Sequence, residues 1–532
     1  MMTCGEATMR LLARYGVHTV FGIPGVHTLD FCRGLGDGGA VRHVQVRNEQ
    51  GAGFMAEGWA RATGEPGVAL VISGPGVTNA STALGQAYAD SLPLLLISAE
   101  ADSRSLGRGW GVLHEISEQK RVTEPLTALS ATALRPDDIP VLMAQAFAIF
   151  RSGRPRPVHL SIPIDVQAAT VTGEWEPVTP PARPSAPPAG IAAAADLLGA
   201  ATSPLIMIGG GASAAGGDLV AIAESTGSIV VASTAGKGIV PDDHSLSLSA
   251  TTVRPEVQRR LGDADVILAV GTELSETDSF VERLSFGGRM IRVDIDPAKI
   301  NDLYPAHLGI VGDAGPAMAA LRETLGGKVT NDRRRAEAQV RQIRDAIAAN
   351  LTASEARHVR ALDILAASAP PDTVWSGDAC QLVYTGAFML PVASPRRWFY
   401  PAGYCALGNA LPNAIGASLA RPGAPVAVLA GDGGFMFTMP ELLTAADLGI
   451  PLPVIIWENG GLKQIQDDMD VRGIARVGVE GGNPDFVALA RACRCHGTEP
   501  RSADELATVF GDAFRADRPT VIVLRDEAVW LQ

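Results

Sequence analysis

The chain is poor in charge, poorer still in positive charge, and has no long apolar run. Charged residues make up 19% of its 532 residues, below the roughly 25% of an average soluble domain. Hydrophobic residues reach 47%, so the sequence favours large buried interfaces over disorder. The net charge of −13 argues against nucleic acid or an anionic membrane as a partner. No apolar stretch is long enough to span a bilayer. Glu6, Arg10 and Arg14 interrupt the N-terminus, which excludes a signal-peptide core there and makes the cytoplasm the expected location. The six cysteines are scattered; only Cys493-Arg494-Cys495-His496 clusters, with no second pair at zinc spacing, so these read as structural thiols. The first strand is not followed by GxGxxG, which removes a plain nicotinamide dehydrogenase. No short-period repeat is visible.

What is present is organised in three parts. A chain of this length implies about three domains at ~150 to 200 residues each. Residues Gly173 to Gly190 are Pro-rich and aperiodic and read as an extended linker. Residues Lys328 to Arg360 are polar, with charges at helical spacing, and read as an exposed helical connection. The expected domains are therefore 1–172, 190–326 and 356–532. Each alternates short apolar strands (Val68 to Ile72, Leu205 to Ile208 and Val521 to Leu524 among them) with helical stretches. That is the pattern of an α/β protein with doubly wound parallel sheets covered on both faces.

The densest chemistry runs from Val426 to Leu462. An apolar strand, Val426 to Ala430, ends in Gly431-Asp432-Gly433-Gly434; after one crossover helix a second strand, Pro453 to Trp457, ends in Asn459-Gly460-Gly461. In an open α/β sheet ligands bind at that edge. The side-chain oxygens of Asp432 and Asn459, with a loop carbonyl, suit a hard cation such as Mg²⁺. The glycines let backbone N–H groups close on a phosphate. The pattern predicts a diphosphate held through magnesium. GDG followed 27 residues on by an Asn-containing turn resembles the signature of thiamine diphosphate enzymes. The resemblance implies Asp432, Asn459 and the Gly461 carbonyl as metal ligands. It implies Gly431, Gly433, Gly434, Asn459 and Leu462 around the cofactor.

The rest of the chain carries the same resemblance. Val44 to Gly64 (VQVRNEQGAGFMAEGWARATG) is similar to a stretch of acetolactate synthase-like enzymes, with Asn48 in place of His. There the glutamate, here Glu49, hydrogen-bonds the aminopyrimidine. Protonating that ring turns its amino group into the base that forms the ylid, so Glu49 is expected to be catalytic. Gly22 to Gly25 resembles the loop lining the thiazolium side, and Ser73 to Asn79 the GPGxTN turn, followed by a helix to Asp90. Asn79 and Gln86 stand equally as site residues or structural amides. Gly403 to Ala417 is similar to a segment of benzoylformate decarboxylase and acetolactate synthase. By that resemblance Leu407 forces the bent cofactor conformation, and the Cys405 carbonyl accepts from the cofactor's amino group. Three successive α/β domains, pyrimidine-binding, central and diphosphate-binding, are what the family implies. Its central domain binds FAD or a nucleotide in some members; Gly209-Gly210-Gly211 follows a strand but is not GxGxxG, so FAD is possible and a structural role preferred.

The substrate is expected to be a small 2-oxo acid. Where pyruvate decarboxylases carry an Asp after the GxPG loop, a His-His pair and a Glu after the magnesium motif, this chain has Val26, the single histidine of Leu113-His114-Glu115, and Ile465. His114 stands where acetolactate synthases have Gln. It is expected to give a proton to the enamine, since imidazoles exchange protons near neutral pH. Val26, His27, Gln464 and Ile465 are the weaker substrate candidates. The runs GIPGVHT, GVLHE and RPRPVHLSIPIDV look nearest to the 2-ketoarginine decarboxylase branch. A guanidinium chain would want a carboxylate, for which Glu115, Asp467 and Asp468 stand as candidates. Decarboxylation to an aldehyde is the expected outcome, acetolactate synthase-like carboligation the alternative, and a non-catalytic subunit a third reading. The family further implies a homodimer or homotetramer with active sites between subunits.

Overall fold

Three parallel sheets form because the chain supplies three sets of short strands, the central ones largely apolar, separated by helices. The computed structural model describes residues 2–36, 38–326 and 332–532. Every residue of Gly67–Val71, Leu94–Glu100 and Val426–Gly431 is buried, as expected of strands covered on both faces. The first sheet has six strands in the order Arg42–Gln45, Thr19–Gly22, Gly67–Val71, Leu94–Glu100, Val158–Pro163, Leu129–Thr132, all parallel. The second has five: Ile229–Ala232, Pro204–Ile208, Val266–Val270, Arg289–Asp294, Leu308–Val311. The third again has six: Trp398–Phe399, Val374–Gly377, Val426–Gly431, Pro453–Glu458, Thr520–Arg525, His496–Thr498. The first and third sheets are wound in the same order. Each reverses direction beside its first strand, and the crevice of a doubly wound sheet opens at that reversal. The expectation of three doubly wound α/β domains holds.

Two connections differ in detail from the sequence reading. The polar connection is only partly exposed: its helix Arg333–Ala349 buries Ala336, Val340 and Ile347 against the second sheet's core, so its apolar positions make one inward face. Its first residues, 328–331, lie outside the described residues. The crossover after Gly431 is two short helices, Asp432–Thr438 and Glu441–Asp447, because Pro440 cannot continue the first. No helix among the described residues is long and apolar enough to cross a membrane.

The first and third sheets share one core. Helix Glu49–Thr63 lies along helix Ala410–Ala420, and Ala52, Met55 and Ala56 meet Leu411, Ala414 and Ile415 there. The approach depends on two glycines. A Cβ on Gly58 would lie 2.1 Å from the Asn413 carbonyl oxygen, and one on Gly416 2.0 Å from that of Met55. Small residues on both helices thus fix the depth to which the outer domains interlock.

Candidate functional site

The third sheet contributes the edge that can hold a cation. Gly431 ends its strand and Asp432 begins the next helix with its side chain 1% exposed. The neighbouring strand, in register at Gly431 and Trp457, brings the Asn459 turn alongside. Asp432 Oδ2 accepts from the backbone N–H groups of Asn459 (3.2 Å), Gly460 (2.9 Å) and Gly461 (3.1 Å). Its Oδ1 accepts from the Gly433 N–H at 2.8 Å. Gly461 sits at φ +124° with the Val479 carbonyl where a Cβ would be, so no other residue fits there without strain. The motif search missed Asn483, whose Nδ2 reaches Asp432 Oδ2 at 2.8 Å and Glu458 Oε1 at 3.1 Å. Gln466, which the sequence reading took with Gln464 as pointing to a polar pocket, is instead buried beneath the turn and donates to the Val479 carbonyl at 3.0 Å. Glu458 Oε2 lies buried beside this cluster, 3.3 Å from Arg525 Nη1. A carboxylate, an amide oxygen, a loop carbonyl and a glycine cradle without side chains are the donors a magnesium-bound diphosphate requires; the residues fit that group.

A second carboxylate braces the neighbouring segment. Asp378 follows the first strand of the third sheet and is 1% exposed. The Gly408 N–H donates to both its oxygens, at 3.1 and 2.9 Å, and the Ala379 N–H to Oδ1 at 2.8 Å. Burial raises this carboxyl to about 6. Residues 403–408 are also held from the first domain: the Gly403 N–H donates to Asp90 (2.8 Å) and the Ala406 N–H to Gln86 Oε1 (3.0 Å). Cys405 takes φ +51°, a strained backbone for a non-glycine residue. Leu407 is half-buried. Gln86 is itself fully buried, its Nε2 bonded to Asp90 at 2.7 Å, so its side chain serves the joint between domains.

The first sheet contributes an acid edge. Glu49 opens its helix behind the cap Asn48, is 7% exposed, and accepts from Asn79 Nδ2 at 2.9 Å. Asn79 lies on helix Pro75–Ala89 rather than in the turn before it, because Pro75 already occupies a helical position. The third sheet reaches this edge through Glu441, which sequence spacing did not reveal. Its Oε1 accepts from the N–H groups of Arg47 (3.0 Å) and Asn48 (3.2 Å), in space left by Gly51. Burial raises the Glu441 carboxyl.

Around these edges the weaker candidates separate. The Gly25 N–H donates to Thr28 Oγ1, and Val26 beside it is 64% exposed. His27 Nδ1 lies 2.6 Å from Ser73 Oγ, and its ring meets that of His114 edge-on, centroids 5.2 Å apart. On helix Lys463–Val471, Gln464 and Ile465 are exposed, as is Leu462 at its N-cap. Asp467 is bonded to Gln381 and Lys463. Glu115 is committed elsewhere: its carboxylate accepts from the N–H groups of Gly109, Trp110, Gly111 and Val112, which folds its own loop and leaves little for a guanidinium.

An acid edge on one sheet and a hard-cation edge on another are groups that suit a diphosphate cofactor. Residues 2–122 match the thiamine pyrophosphate enzyme N-terminal TPP binding domain, 191–321 its central domain, and 378–524 its C-terminal TPP binding domain. The chain belongs to the thiamine pyrophosphate enzymes. Among curated relatives it is 48% identical over 527 residues to the probable 2-ketoarginine decarboxylase of Pseudomonas aeruginosa, covering 98% of this chain and 94% of that one. It is 31% identical over 562 residues to the acetolactate synthase large subunit of Corynebacterium glutamicum, covering 99% and 88%. It is also 31% identical over 550 residues to the acetolactate synthase isozyme 3 large subunit of Escherichia coli, covering 99% and 95%.

Proposed function

We propose that the protein is a thiamine diphosphate- and Mg²⁺-dependent decarboxylase that releases an aldehyde from a 2-oxo acid, 5-guanidino-2-oxopentanoate being the first to test. The observation that carries the reading is the pair of edges, Glu49 with Asn79 on one sheet and Asp432 with the Asn459–Gly461 turn on another. The identity to a probable 2-ketoarginine decarboxylase supports the substrate. When bound, thiamine diphosphate supplies a cationic ring that takes up the electron pair freed as carbon dioxide leaves. Asp432, Asn459 and the Gly461 carbonyl hold its metal. Gly431, Gly433 and Gly434 keep side chains away from its phosphates. Glu49 holds a proton at its free oxygen while Asn79 fixes the other. Asp378 and Gln86 fix the backbone that carries Cys405 and Leu407. His114 gives the proton that completes the aldehyde.

The reading includes a homo-oligomer whose cofactor lies between one protomer's first domain and its partner's third. Large apolar side chains support this. Val26, Leu29, Trp110 and Leu113 on the first domain and Phe437 and Ile465 on the third are each at least 45% exposed, as surfaces awaiting a partner are. The central sheet is read as structural and the domain limits as those of the sequence. In support, Arg154 spans the crevice beside Gly209–Gly211, bonded to Glu273 (2.9 Å), Asp294 (2.7 Å) and Asp296 (3.2 Å). That clasp commits Arg154 and three carboxylates to one another across the crevice. Carboligation remains the second reading, favoured by the relatives named acetolactate synthase. Incubation with thiamine diphosphate, Mg²⁺ and a panel of 2-oxo acids, with products weighed by mass spectrometry, decides between them. Aldehyde from the guanidino acid supports the proposal, and acetolactate-type products as the main output overturn it.

A further inference from the structure

We propose that His27 and His114 act as one proton-sharing pair on the substrate, with Ser73 orienting the first ring and the Gly74–Gln119 contact orienting the second. The proposal rests on the decarboxylase reading and deepens it: His27, the weaker substrate candidate, becomes half of the acid.

The two histidines come from loops far apart in sequence that leave the same sheet edge. His27 follows strand Thr19–Gly22, and His114 lies in the segment after strand Leu94–Glu100. His27 is 8% exposed, and its Nδ1 shares a hydrogen with Ser73 Oγ at 2.6 Å. That bond occupies Nδ1 and holds the ring against Ser73. The rings meet at 78° with centroids 5.2 Å apart. His114 Nδ1 is buried and without a hydrogen-bond partner among the described residues; a buried polar atom left in that state asks for a function.

The backbone places His114 under constraint. Its φ is +61°, a conformation that persists for a non-glycine residue only where the surroundings impose it. They do so through Gly74, itself at φ +60°, where a Cβ would come within 2.5 Å of the His114 carbonyl oxygen. The Gly74 N–H donates to Gln119 Oε1 at 2.7 Å. Gln119 Nε2 donates to Ser98 Oγ (3.0 Å), the Ala99 carbonyl (2.8 Å) and Ser161 Oγ (2.8 Å). The loop carrying one histidine is thus pinned to the turn that orients the other. Two imidazolium ions so close repel each other, which disfavours a proton on both rings at once. Burial, and then His114, depress protonation of His27. When carbon dioxide has left, an imidazolium N–H bond breaks with its electrons staying on nitrogen. A C–H bond forms from the electron pair left on carbon, and the neutral pair takes its next proton from water.

A double-mutant cycle on the holoenzyme tests this. His27→Asn keeps an amide within reach of Ser73 but has no proton to transfer; it is combined with His114→Asn, and Ser73→Ala is made separately. Three quantities are read: aldehyde release, exchange of the C2 hydrogen of bound thiamine diphosphate by quenched NMR, and thermal unfolding. The pair predicts that each histidine substitution slows aldehyde release by about 10²-fold, that the double variant is no slower than the slower single, and that C2 exchange keeps its native rate. Ser73→Ala lowers kcat at unchanged KM. Should His27→Asn fail to fold, His27→Gln replaces it. Losses that multiply in the double variant, native aldehyde release from His27→Asn, or C2 exchange that falls in step with turnover each overturn the pair. Acyloin alone from the wild type overturns the decarboxylase reading and the pair with it; aldehyde from the wild type with multiplying losses overturns the pair alone.

Discussion

Replacing His159 by glutamine should flatten the acid sensitivity of the first domain. His159 is fully buried, with Nε2 2.8 Å from Ser98 Oγ and Nδ1 2.7 Å from Thr123 Oγ1. Burial pushes it down from 6.5 to about 3. The unfolded chain therefore takes up a proton at a pH where the folded one refuses it. Stability from this residue is complete above pH 6.5 and is lost as pH falls toward 3. A difference of about 3.5 units corresponds to about 5 kcal/mol, of which about 2 kcal/mol is gone at pH 5. The assay is urea unfolding at pH 7.5 and pH 5, wild type against His159→Gln. Other titrating groups, among them His358 held near 4 by burial, are common to both proteins and cancel. Wild type should lose about 2 kcal/mol more than the variant between the two pH values. Parallel losses would refute the argument, since they would mean that His159 is protonated or solvated in the folded state. The outcome bears on function because Ser98 also receives Gln119.

Asp432→Ala should abolish Mg²⁺-dependent retention of thiamine diphosphate, and native calorimetric affinity in that variant would sink the metal assignment. Glu49→Gln should slow C2 hydrogen exchange of the bound cofactor by about 10²-fold or more; an unchanged rate in the NMR assay removes Glu49 from that step. Gly58→Ala should lower the urea midpoint by an amount equivalent to about 1–3 kcal/mol, although alanine is favoured over glycine in a helix by about 1 kcal/mol, because the new methyl meets the Asn413 carbonyl. Co-expressed Glu49→Gln and Asp432→Ala chains that pair at random should recover about a quarter of native activity, since half the dimers then hold one intact site of two; no recovery would place both halves of each site in one chain.

The elements that build both edges could be read because their signals are local. An apolar run ending in Gly431-Asp432 states strand, turn and helix within a dozen residues, and Glu49 after a short strand does the same. What stayed hidden is long-range. Glu441 caps the backbone of Arg47 and Asn48 from nearly 400 positions away, and Asn483 reaches Asp432 from the far side of an irregular segment. Neither has a periodic or spacing signature, because ordinary polar residues acquire such contacts only through packing. Gln86 shows the converse. Its helix was visible, but whether its amide faced a ligand or a neighbouring domain depended on where the segment 403–408 settled. The break at Pro440 was legible in principle, since proline inside a helical run is a stop.

The identical winding of the two outer sheets has a consequence for how labour is divided in the molecule. Each makes the same crevice, and at the equivalent place, one step past the third strand's glycine turn, the third sheet has Asp432 and the first has Pro75. Proline offers neither a negative charge nor an N–H, so the first crevice cannot do what the second does, and it carries its carboxylate at the start of the neighbouring helix as Glu49. The two halves are one blueprint specialised in opposite directions. In the dimer proposed above, turning one chain against another would bring every proton-handling crevice to a metal-holding one, so the sites would come in pairs. A small shift along helix Glu49–Thr63, which is locked to helix Ala410–Ala420 by two glycines, would then be felt at both sites.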